Sequence, residues 1–429
     1  MKYSPIGKDL FIHNRKRLVE ELKPNAIAVF NSNDIMPTNA DGTMRFRQNN
    51  DLFYLSGIDQ EESILVIYPD FHDKSMREIL FLRKTSEEIA IWEGHKYTKA
   101  EAAEVSGIST VKWLDEFEKT FNTLMAEAVS VYLNTNEHIR AANPVQTRDA
   151  RFIAECKQRY PLHTYERVAP IMHKLRAIKS ELEIKQLQEA CDITEKGFRR
   201  ILDFVKPGVW EYEIEAEFLH EFVRNRSRGF AYEPIIASGF SACVLHYIEN
   251  NKQCHDGDCI LFDVGAEYAN YNADLTRVIP VNGKFTTRQK EVYNAVLRVH
   301  REAAAMLTPG NTIPEYHKEV GKVMEAELIG LGLLDKTDVK NQDPSNPAYR
   351  KYFMHGTSHH LGLDVHDVGN IYQPMQEGMV FTVEPGIYIR EESLGIRIEN
   401  DVVITKDGIH DLMRNIPIEA EEIEDLMNS

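Results

Sequence analysis

Long hydrophobic runs are missing from this sequence of 429 residues. No stretch approaches the roughly 20 consecutive apolar residues that a membrane-spanning helix requires. The opening residues 1–10 likewise contain no apolar segment of the kind that defines a secretory signal peptide. Neither a membrane span nor a secretion signal is therefore predicted.

Cysteine is also scarce. The five cysteines are odd in number and widely spread, which argues against a disulfide framework. Cys254 and Cys259 flank His255 and Asp256, but their spacing is not that of a structural zinc site. Together with the missing signal segment, this cysteine usage predicts a cytoplasmic protein.

Positive charge is in short supply. The chain has 50 Lys and Arg against 67 Asp and Glu, which gives a formal net charge of −17. This balance argues against nucleic acid and against an anionic membrane surface as main partners. It is compatible with a site in which carboxylates hold cations. No glycine-rich phosphate loop follows a predicted strand in residues 1–172, so a nucleotide-binding role lacks support as well.

Residues 1–172 read as an amino-terminal α/β domain. Short apolar runs of strand length alternate there with amphipathic segments of helix length. The predicted strands are 27–30, 64–68, 79–82 and 129–133, and the predicted helices are 9–22, 98–105 and 116–127. Residues 45–57 mix basic, amide and aromatic side chains, for which ordinary packing is a better explanation than a substrate surface.

Residues 173–429 read as a second domain with an internal duplication. Ser180 and Glu183 form a capping box that opens a long helix, and a second helix is predicted to end near Gly229. Two more helices follow at 293–307 and 314–330. Strands at 274–281 and 396–405 each lead into a tight turn. Two helices followed by antiparallel strands, occurring twice, predict a pseudo-symmetric α+β domain with its site between the halves.

Four histidines lie within the twelve residues from His355 to His366. Imidazole is the commonest metal ligand, and the interleaved glycines allow the backbone to approach a bound group closely. Alternating apolar residues in the same run predict a half-buried strand or a tight loop. This stretch is therefore the leading candidate for a functional site.

Four carboxylates interrupt apolar strand segments: Asp263, Asp274, Glu384 and Glu399. A carboxylate inside a buried strand is costly unless it is paired or binds a metal. For any one of them, an ion pair with an arginine explains the position equally well. Four on equivalent hairpins, together with His359, favour an oxygen-rich site for two divalent ions, which lowers the pKa of a shared water.

These residues carry a family resemblance. Their order and spacing resemble those of the "pita-bread" dinuclear metallopeptidases, the group of methionine aminopeptidase, aminopeptidase P and prolidase. The stretch 355–367 resembles the signature of the proline-specific branch. The motifs 243–247, 272–277, 383–388 and 395–399 also match. Residues 47–57 and Ile91-Trp92 are similar to the amino-terminal domain of aminopeptidase P. The resemblance covers nearly the whole chain, without departure at a metal position.

The resemblance implies a ligand set for two divalent ions. Asp274 and Glu399 would bridge the ions, Asp263 would complete the shell of one, and His359 and Glu384 would complete the shell of the other. Mn²⁺ is the expected metal, with Co²⁺, Zn²⁺ and Fe²⁺ as alternatives.

The resemblance also implies roles around the metals. Glu384 would double as the general base, and His246 and His366 would contact the substrate. His355 and Arg397 would position the substrate or the ligands, and Tyr388 would support Glu384 or the product. Purely structural roles stay open for Arg397 and Tyr388. His360 matches no family role and is expected to pack or to line the rim.

The implied activity is hydrolysis of an N-terminal Xaa–Pro bond in peptides by a hydroxide that the two ions activate. The expected assembly is a homodimer or homotetramer formed partly through residues 1–172. The nearest alternative is a prolidase restricted to Xaa-Pro dipeptides. A non-catalytic pita-bread binding module and a metal-free amidinohydrolase are disfavoured, because every ligand is present and the chain is acidic.

Overall fold

The computed structural model describes residues 3–429. They form two units, of which one is Pro5–Arg176 and the other is Ala177–Ser429 together with Tyr3 and Ser4. The domain boundary predicted at 172/173 falls inside the helix Ala169–Ala177. Among the described residues, no helix combines the length and apolar composition needed to span a bilayer.

The unit Pro5–Arg176 is built on a mixed six-stranded sheet with the strand order β4-β3-β2-β1-β5-β6. Its strands are β1 (Ala26–Asn31), β2 (Ile64–Ile67), β3 (Glu78–Leu82), β4 (Thr110–Trp113), β5 (Ser130–Leu133) and β6 (Thr164–Arg167). Its helices are α1 (Lys8–Glu21), α2 (Asn50–Ser56), α3 (Glu87–Glu93), α4 (Lys99–Ser106), α5 (Phe117–Met125), α6 (Arg148–Arg159) and α7 (Ala169–Ala177). β1, β2 and β5 are buried along their whole length, which is why they read as continuous apolar runs.

The segment 45–57 serves mainly to pack this unit. Gln48 is buried and donates hydrogen bonds to the carbonyls of Ile58 and Gln60 at 3.0 and 2.8 Å. Asn49 caps the amino terminus of α2, and Gly57 ends that helix at φ +69°, a backbone conformation that favours glycine. The amides and the glycine of this motif are thus explained by local structure.

The carboxy-terminal unit contains helices α8 to α13 and strands β7 to β16. The helices are α8 (Glu181–Phe204), α9 (Glu211–Arg224), α10 (Thr287–Met306), α11 (Ile313–Gly330), α12 (Lys336–Lys340) and α13 (Ala420–Met427). The strands are β7 (Ile235–Ser238), β8 (Cys259–Val264), β9 (Glu267–Tyr268), β10 (Tyr271–Asn272), β11 (Leu275–Pro280), β12 (Val380–Val383), β13 (Gly386–Ile389), β14 (Leu394–Arg397), β15 (Asn400–Thr405) and β16 (Gly408–Asp411).

This unit has the internal repeat that the sequence predicts. In the first half, α8 and α9 precede the antiparallel pair β8–β11, into which the small hairpin β9–β10 is inserted. In the second half, α10 and α11 precede the antiparallel pair β12–β15, into which β13–β14 is inserted. A bridge between Thr276 and Glu399 joins the two halves. The α/β plus pita-bread fold class is confirmed.

Several local predictions can be compared directly with the structure. The capping box of Ser180 and Glu183 at the start of α8 is confirmed. The predicted continuous strand 396–405 is wrong, because β14 ends at Arg397 and β15 begins at Asn400. Between them the backbone changes partner, since Ile398 N donates to Pro385 O and Glu399 N donates to Thr276 O.

The second predicted helix of this unit is also shorter than expected. It ends at Arg224 rather than near Gly229. The five cysteines are all buried free thiols, in agreement with the absence of a disulfide framework.

Candidate metal centre

The first half of the carboxy-terminal unit contributes two aspartates from one hairpin. Asp263 is the penultimate residue of β8, and Asp274 directly precedes β11. Gly265 lets the hairpin close between them, because a Cβ there would lie 1.7 Å from the carbonyl oxygen of Ala273. Only glycine allows this approach without a shift of the backbone.

The second half contributes two glutamates from the equivalent hairpin. Glu384 directly follows β12, and Glu399 directly precedes β15. The Glu399 carboxylate accepts a hydrogen bond from Thr276 Oγ1 of the first half at 2.6 Å. The pairing of the two halves therefore places both glutamates on the same side as the aspartates.

The histidine stretch runs alongside β12 as an irregular segment, so the predicted tight loop is found rather than a strand. Glu384 N donates to Thr357 O at 2.8 Å, and Thr382 N donates to His359 O at 3.1 Å. The stretch is also anchored by a fully buried ion pair, in which Lys179 Nζ lies 3.0 Å from Asp367 Oδ2. These contacts fix the position of His359 beside Asp274 and Glu384.

The orientation of the His359 ring suits a metal ligand. Its Nδ1 lies 3.0 Å from the carbonyl oxygen of His360, which fixes the proton on Nδ1 and leaves the lone pair on Nε2. Nε2 lies 3.5 Å from Asp274 Oδ2 and 3.7 Å from Glu384 Oε1. Asp274, His359 and Glu399 offer ligand atoms that all lie within 4.8 Å of one another.

Burial and mutual repulsion perturb the titration of this cluster. Burial raises the pKa of Asp263, raises that of Glu384 to about 7, and raises that of Glu399 well above its usual range. Burial alone would lower the pKa of His359, but Asp274 and Glu384 outweigh it and raise the pKa. Burial and mutual repulsion disfavour the ionised form of these carboxylates, and a bound divalent cation would offset both effects. The donor set thus fits divalent metal.

A hydrogen-bonded chain of three side chains flanks the carboxylates. Arg397 Nη2 donates to Asp263 Oδ2 at 2.5 Å, and Arg397 Nη1 donates to the Tyr388 hydroxyl at 2.8 Å. The Tyr388 hydroxyl lies 2.8 Å from His355 Nε2, while His355 Nδ1 lies 2.8 Å from the carbonyl oxygen of Gly356. Burial lowers the pKa of His355 to about 3, so this imidazole is neutral and Nε2 accepts the tyrosine proton.

The remaining predicted histidines lie at the edge of the centre. His366 is exposed and makes an edge-to-face contact with His359, with 4.4 Å between ring centroids. His246 is exposed on the segment that follows β7. His360 instead packs on Phe381 with 4.4 Å between centroids, and burial lowers its pKa to about 3, so it belongs to the core.

Sequence reasoning missed two hydroxyls that organise the carboxylates. The Tyr232 hydroxyl lies 2.6 Å from Asp263 Oδ1 and 2.5 Å from Asp274 Oδ1. Thr276 Oγ1 donates to Glu399 and accepts from Arg397 Nε at 2.9 Å. Thr276 could have been noticed because it lies in the motif 272–277, two residues after Asp274. Tyr232 has no such signal, since only the folded chain brings it near the hairpin.

Comparison with known proteins places this chain in a family. Residues 185–406 match the model of metallopeptidase family M24, and residues 11–132 match the amino-terminal domain of aminopeptidase P. The chain is 36% identical to the Xaa-Pro aminopeptidase of Escherichia coli, over 99% of this chain and 98% of that protein. It is 34% identical to Xaa-Pro aminopeptidase 3 of Homo sapiens, over 92% of this chain and 78% of that protein.

Solved structures agree along the whole chain. Aminopeptidase PepP of Pseudomonas aeruginosa superposes with a TM-score of 0.90 at 31% identity, covering 99% of this chain and 98% of that one. A glutamate-to-alanine variant of Escherichia coli aminopeptidase P in complex with substrate superposes with a TM-score of 0.88 at 36% identity, covering 99% of both chains. The chain therefore belongs to metallopeptidase family M24.

Proposed function

We propose that this protein is a metal-dependent aminopeptidase that hydrolyses the N-terminal Xaa–Pro bond of peptides. The observation that carries the proposal is the arrangement of four carboxylates from two equivalent hairpins around the imidazole of His359, which lies on the neighbouring histidine stretch. The similarity to Xaa-Pro aminopeptidases over nearly the full length of the chain supports the substrate class. A prolidase restricted to dipeptides is less well supported, because the similar proteins named above are Xaa-Pro aminopeptidases.

The proposed ligands are those that the resemblance implies. Asp274 and Glu399 would be shared by two divalent ions, Asp263 would belong to one of them, and His359 and Glu384 would belong to the other. Two bound ions supply Lewis-acid charge at the scissile carbonyl and make water acidic enough to ionise near neutral pH. We propose Mn²⁺ as the physiological metal, with Co²⁺, Zn²⁺ and Fe²⁺ as alternatives.

Glu384 is proposed as the general base. Its carboxylate lies 3.7 Å from His359 Nε2, a proposed ligand atom, so it would be within reach of a water that the ions hold. The proton of the attacking water passes to the Glu384 carboxylate while the oxygen bonds to the carbonyl carbon. The C–N bond then breaks, and the proton held by Glu384 passes to the prolyl nitrogen, which leaves as a secondary amine while Glu384 returns to its carboxylate form.

The histidines and the arginine–tyrosine chain are proposed to hold the substrate in place. His246 and His366, both exposed at the edge of the centre, would contact the scissile carbonyl and the developing negative charge. Arg397, Tyr388 and the neutral His355 would orient Asp263 and the substrate through their hydrogen-bonded chain. Such a site would suit proline. An Xaa–Pro bond lacks the backbone N–H that donates a hydrogen bond to peptidases that bind extended chains.

The test is a substrate comparison on metal-depleted protein reloaded with Mn²⁺, Co²⁺ or Zn²⁺. We expect cleavage of Xaa-Pro-Xaa tripeptides, release of the first residue only, and no cleavage of the matched Xaa-Ala-Xaa peptides. Cleavage of Xaa-Pro dipeptides alone would identify a prolidase instead. Metal binding without cleavage of either substrate would favour the binding module.

We also propose that the protein acts as a homodimer or homotetramer in the cytoplasm, as the resemblance and the cysteine usage predict. Sedimentation equilibrium on the full chain measures the assembly directly. A monomer at every accessible concentration would contradict this part of the proposal.

A further inference from the structure

A buried carboxylate outside the candidate metal centre has an unusually complete set of hydrogen bonds. Glu211, the first residue of α9, is fully buried. Its Oε1 accepts from the backbone N–H and the hydroxyl of Ser238 at 2.8 and 2.7 Å. Its Oε2 accepts from the Tyr247 hydroxyl and the backbone N–H of Lys252 at 2.7 and 2.9 Å. Both oxygens are thus saturated by donors from one stretch of chain.

These donors lie at both ends and in the middle of a single loop. β7 ends at Ser238, and the chain returns to Glu211 at Lys252, whose carbonyl accepts the backbone N–H of Glu211 at 2.9 Å. Tyr247 lies between the two ends. We refer to residues 239–251 as the His246 loop. Glu211 closes the base of this loop with a charged acceptor, which makes stronger hydrogen bonds than a neutral one.

The His246 loop contains a proposed substrate contact, His246, next to Tyr247, the residue that is bound to Glu211. His246 is exposed, whereas the adjacent Tyr247 is only 6% exposed because its hydroxyl is bound to Glu211. The opposite side of the loop packs closely on β14. A Cβ at Gly395 of that strand would lie 2.2 Å from the carbonyl oxygen of Ala242. The His246 loop is therefore held between Glu211 and the strand that carries Arg397.

We propose that Glu211 is a positioning residue that fixes His246 against the scissile bond. The proposal rests on the proposed function, because it takes its purpose from the substrate contact of His246. Glutamine at position 211 would lose hydrogen bonds to the loop. Each carboxylate oxygen accepts from two donors, and a side-chain amide would turn its own N–H groups toward one of these pairs.

The test combines kinetics with hydrogen exchange on the metal-loaded full-length enzyme. We expect Glu211→Gln to lower kcat/KM for an Xaa-Pro-Xaa peptide about tenfold in the native background. In a His246→Ala background the same substitution should change kcat/KM by less than about twofold, because two residues that act through one contact are not additive. Amides in residues 239–252 should exchange faster in Glu211→Gln, with metal content unchanged.

Glu213→Gln is the matched control. Glu213 lies on the same helix and accepts only the backbone N–H of Trp210 in a capping box, a role that glutamine also fills. It should change neither kcat/KM nor exchange in the His246 loop. Should Glu211→Gln fail to fold, Tyr247→Phe removes one donor and leaves the other three, with a smaller shift expected in the same direction.

Two results would overturn the proposal. One is unchanged exchange in residues 239–252 in Glu211→Gln, or in Tyr247→Phe if the former does not fold. The other is an equal loss of kcat/KM in the native and His246→Ala backgrounds, which would show an effect independent of His246. If the native protein cleaves no Xaa-Pro peptide, the proposed function fails, and the exchange measurement still decides whether Glu211 holds the loop.

Discussion

Among single residues, Glu384 is the one whose surroundings bear most directly on the proposed reaction. Its carboxylate lies 3.7 Å from His359 Nε2 and 3.6 Å from His355 Nδ1, and burial raises its pKa to about 7. Glu384→Gln keeps an oxygen for the metal and removes the base. We expect metal content to stay near that of the native protein and kcat to fall by at least about a hundredfold.

Metal analysis together with steady-state kinetics checks this prediction. Glu391→Gln, at an exposed glutamate of the same half, is the control and should behave like the native protein. Near-normal turnover by Glu384→Gln would rule out its assignment as the general base.

Tyr388 tests the chain of hydrogen bonds beside the metal ligands. Tyr388→Phe removes the hydroxyl that links Arg397 to His355 and leaves two buried polar atoms without that partner. We expect kcat/KM to fall about tenfold with unchanged metal content. The matched change Tyr372→Phe, at a side chain that is 69% exposed, should have no effect. Equal kinetics for both variants would make Tyr388 a packing residue only.

At the scale of elements, the hairpin β8–β11 brings its two aspartates together only because it closes tightly at Gly265. In Gly265→Ala, the new methyl group would clash with the carbonyl oxygen of Ala273, so the hairpin must open. We expect a loss of about 2 kcal/mol of unfolding free energy or more, together with weaker metal binding. Calorimetry and metal titration provide the measurements.

The control for that prediction is Gly330→Ala at the end of α11. A Cβ at Gly330 would meet nothing within 4 Å, so the substitution should be neutral or slightly stabilising. If Gly265→Ala were as stable as Gly330→Ala, the close approach in the hairpin would not constrain the ligands.

The sequence predicted the elements whose signals are local. The capping box at Ser180 and the buried strands could be recognised because the pattern and the structure depend on the same neighbouring residues. The break in the strand at Glu399 could not be recognised from the sequence, because it results from a change of backbone partner to Thr276 of the other half. Tyr232 could not be recognised either, because its hydroxyl contacts Asp263 and Asp274, which lie 31 and 42 residues further along the same half. Contacts between the halves leave no periodic signature in either segment.

At the scale of the whole molecule, the buried carboxylates couple stability to pH and metal. The folded-state pKa of Glu384 is about 7, above the usual value of 4.5, so its contribution to stability is complete below about pH 4.5 and is lost as the pH rises through about 7. Asp263 and Glu399 shift in the same direction. We expect metal-free protein to lose on the order of 3 kcal/mol from Glu384 between these limits.

Thermal unfolding of chelated protein at about pH 5 and about pH 8 checks this expectation. The melting temperature should fall toward the higher pH, and Mn²⁺ should restore it there, because the ion favours the ionised carboxylates. Glu384→Gln should flatten the pH dependence of the metal-free protein. A metal-free protein with the same stability at both pH values would contradict the burial of ionisable ligands.

The ion pair of Lys179 and Asp367 has a consequence for how this protein can be divided. The segment that matches the M24 family model begins at residue 185, after Lys179. A fragment cut to that segment would lose the Lys179 ammonium, which lies 3.0 Å from Asp367 Oδ2 in a fully buried ion pair at the end of the histidine stretch. A carboxy-terminal fragment that keeps this ion pair must therefore include Lys179 and begin upstream of the M24 match, as the compact unit that starts at Ala177 does. The compact carboxy-terminal unit and the M24 sequence match do not share a boundary.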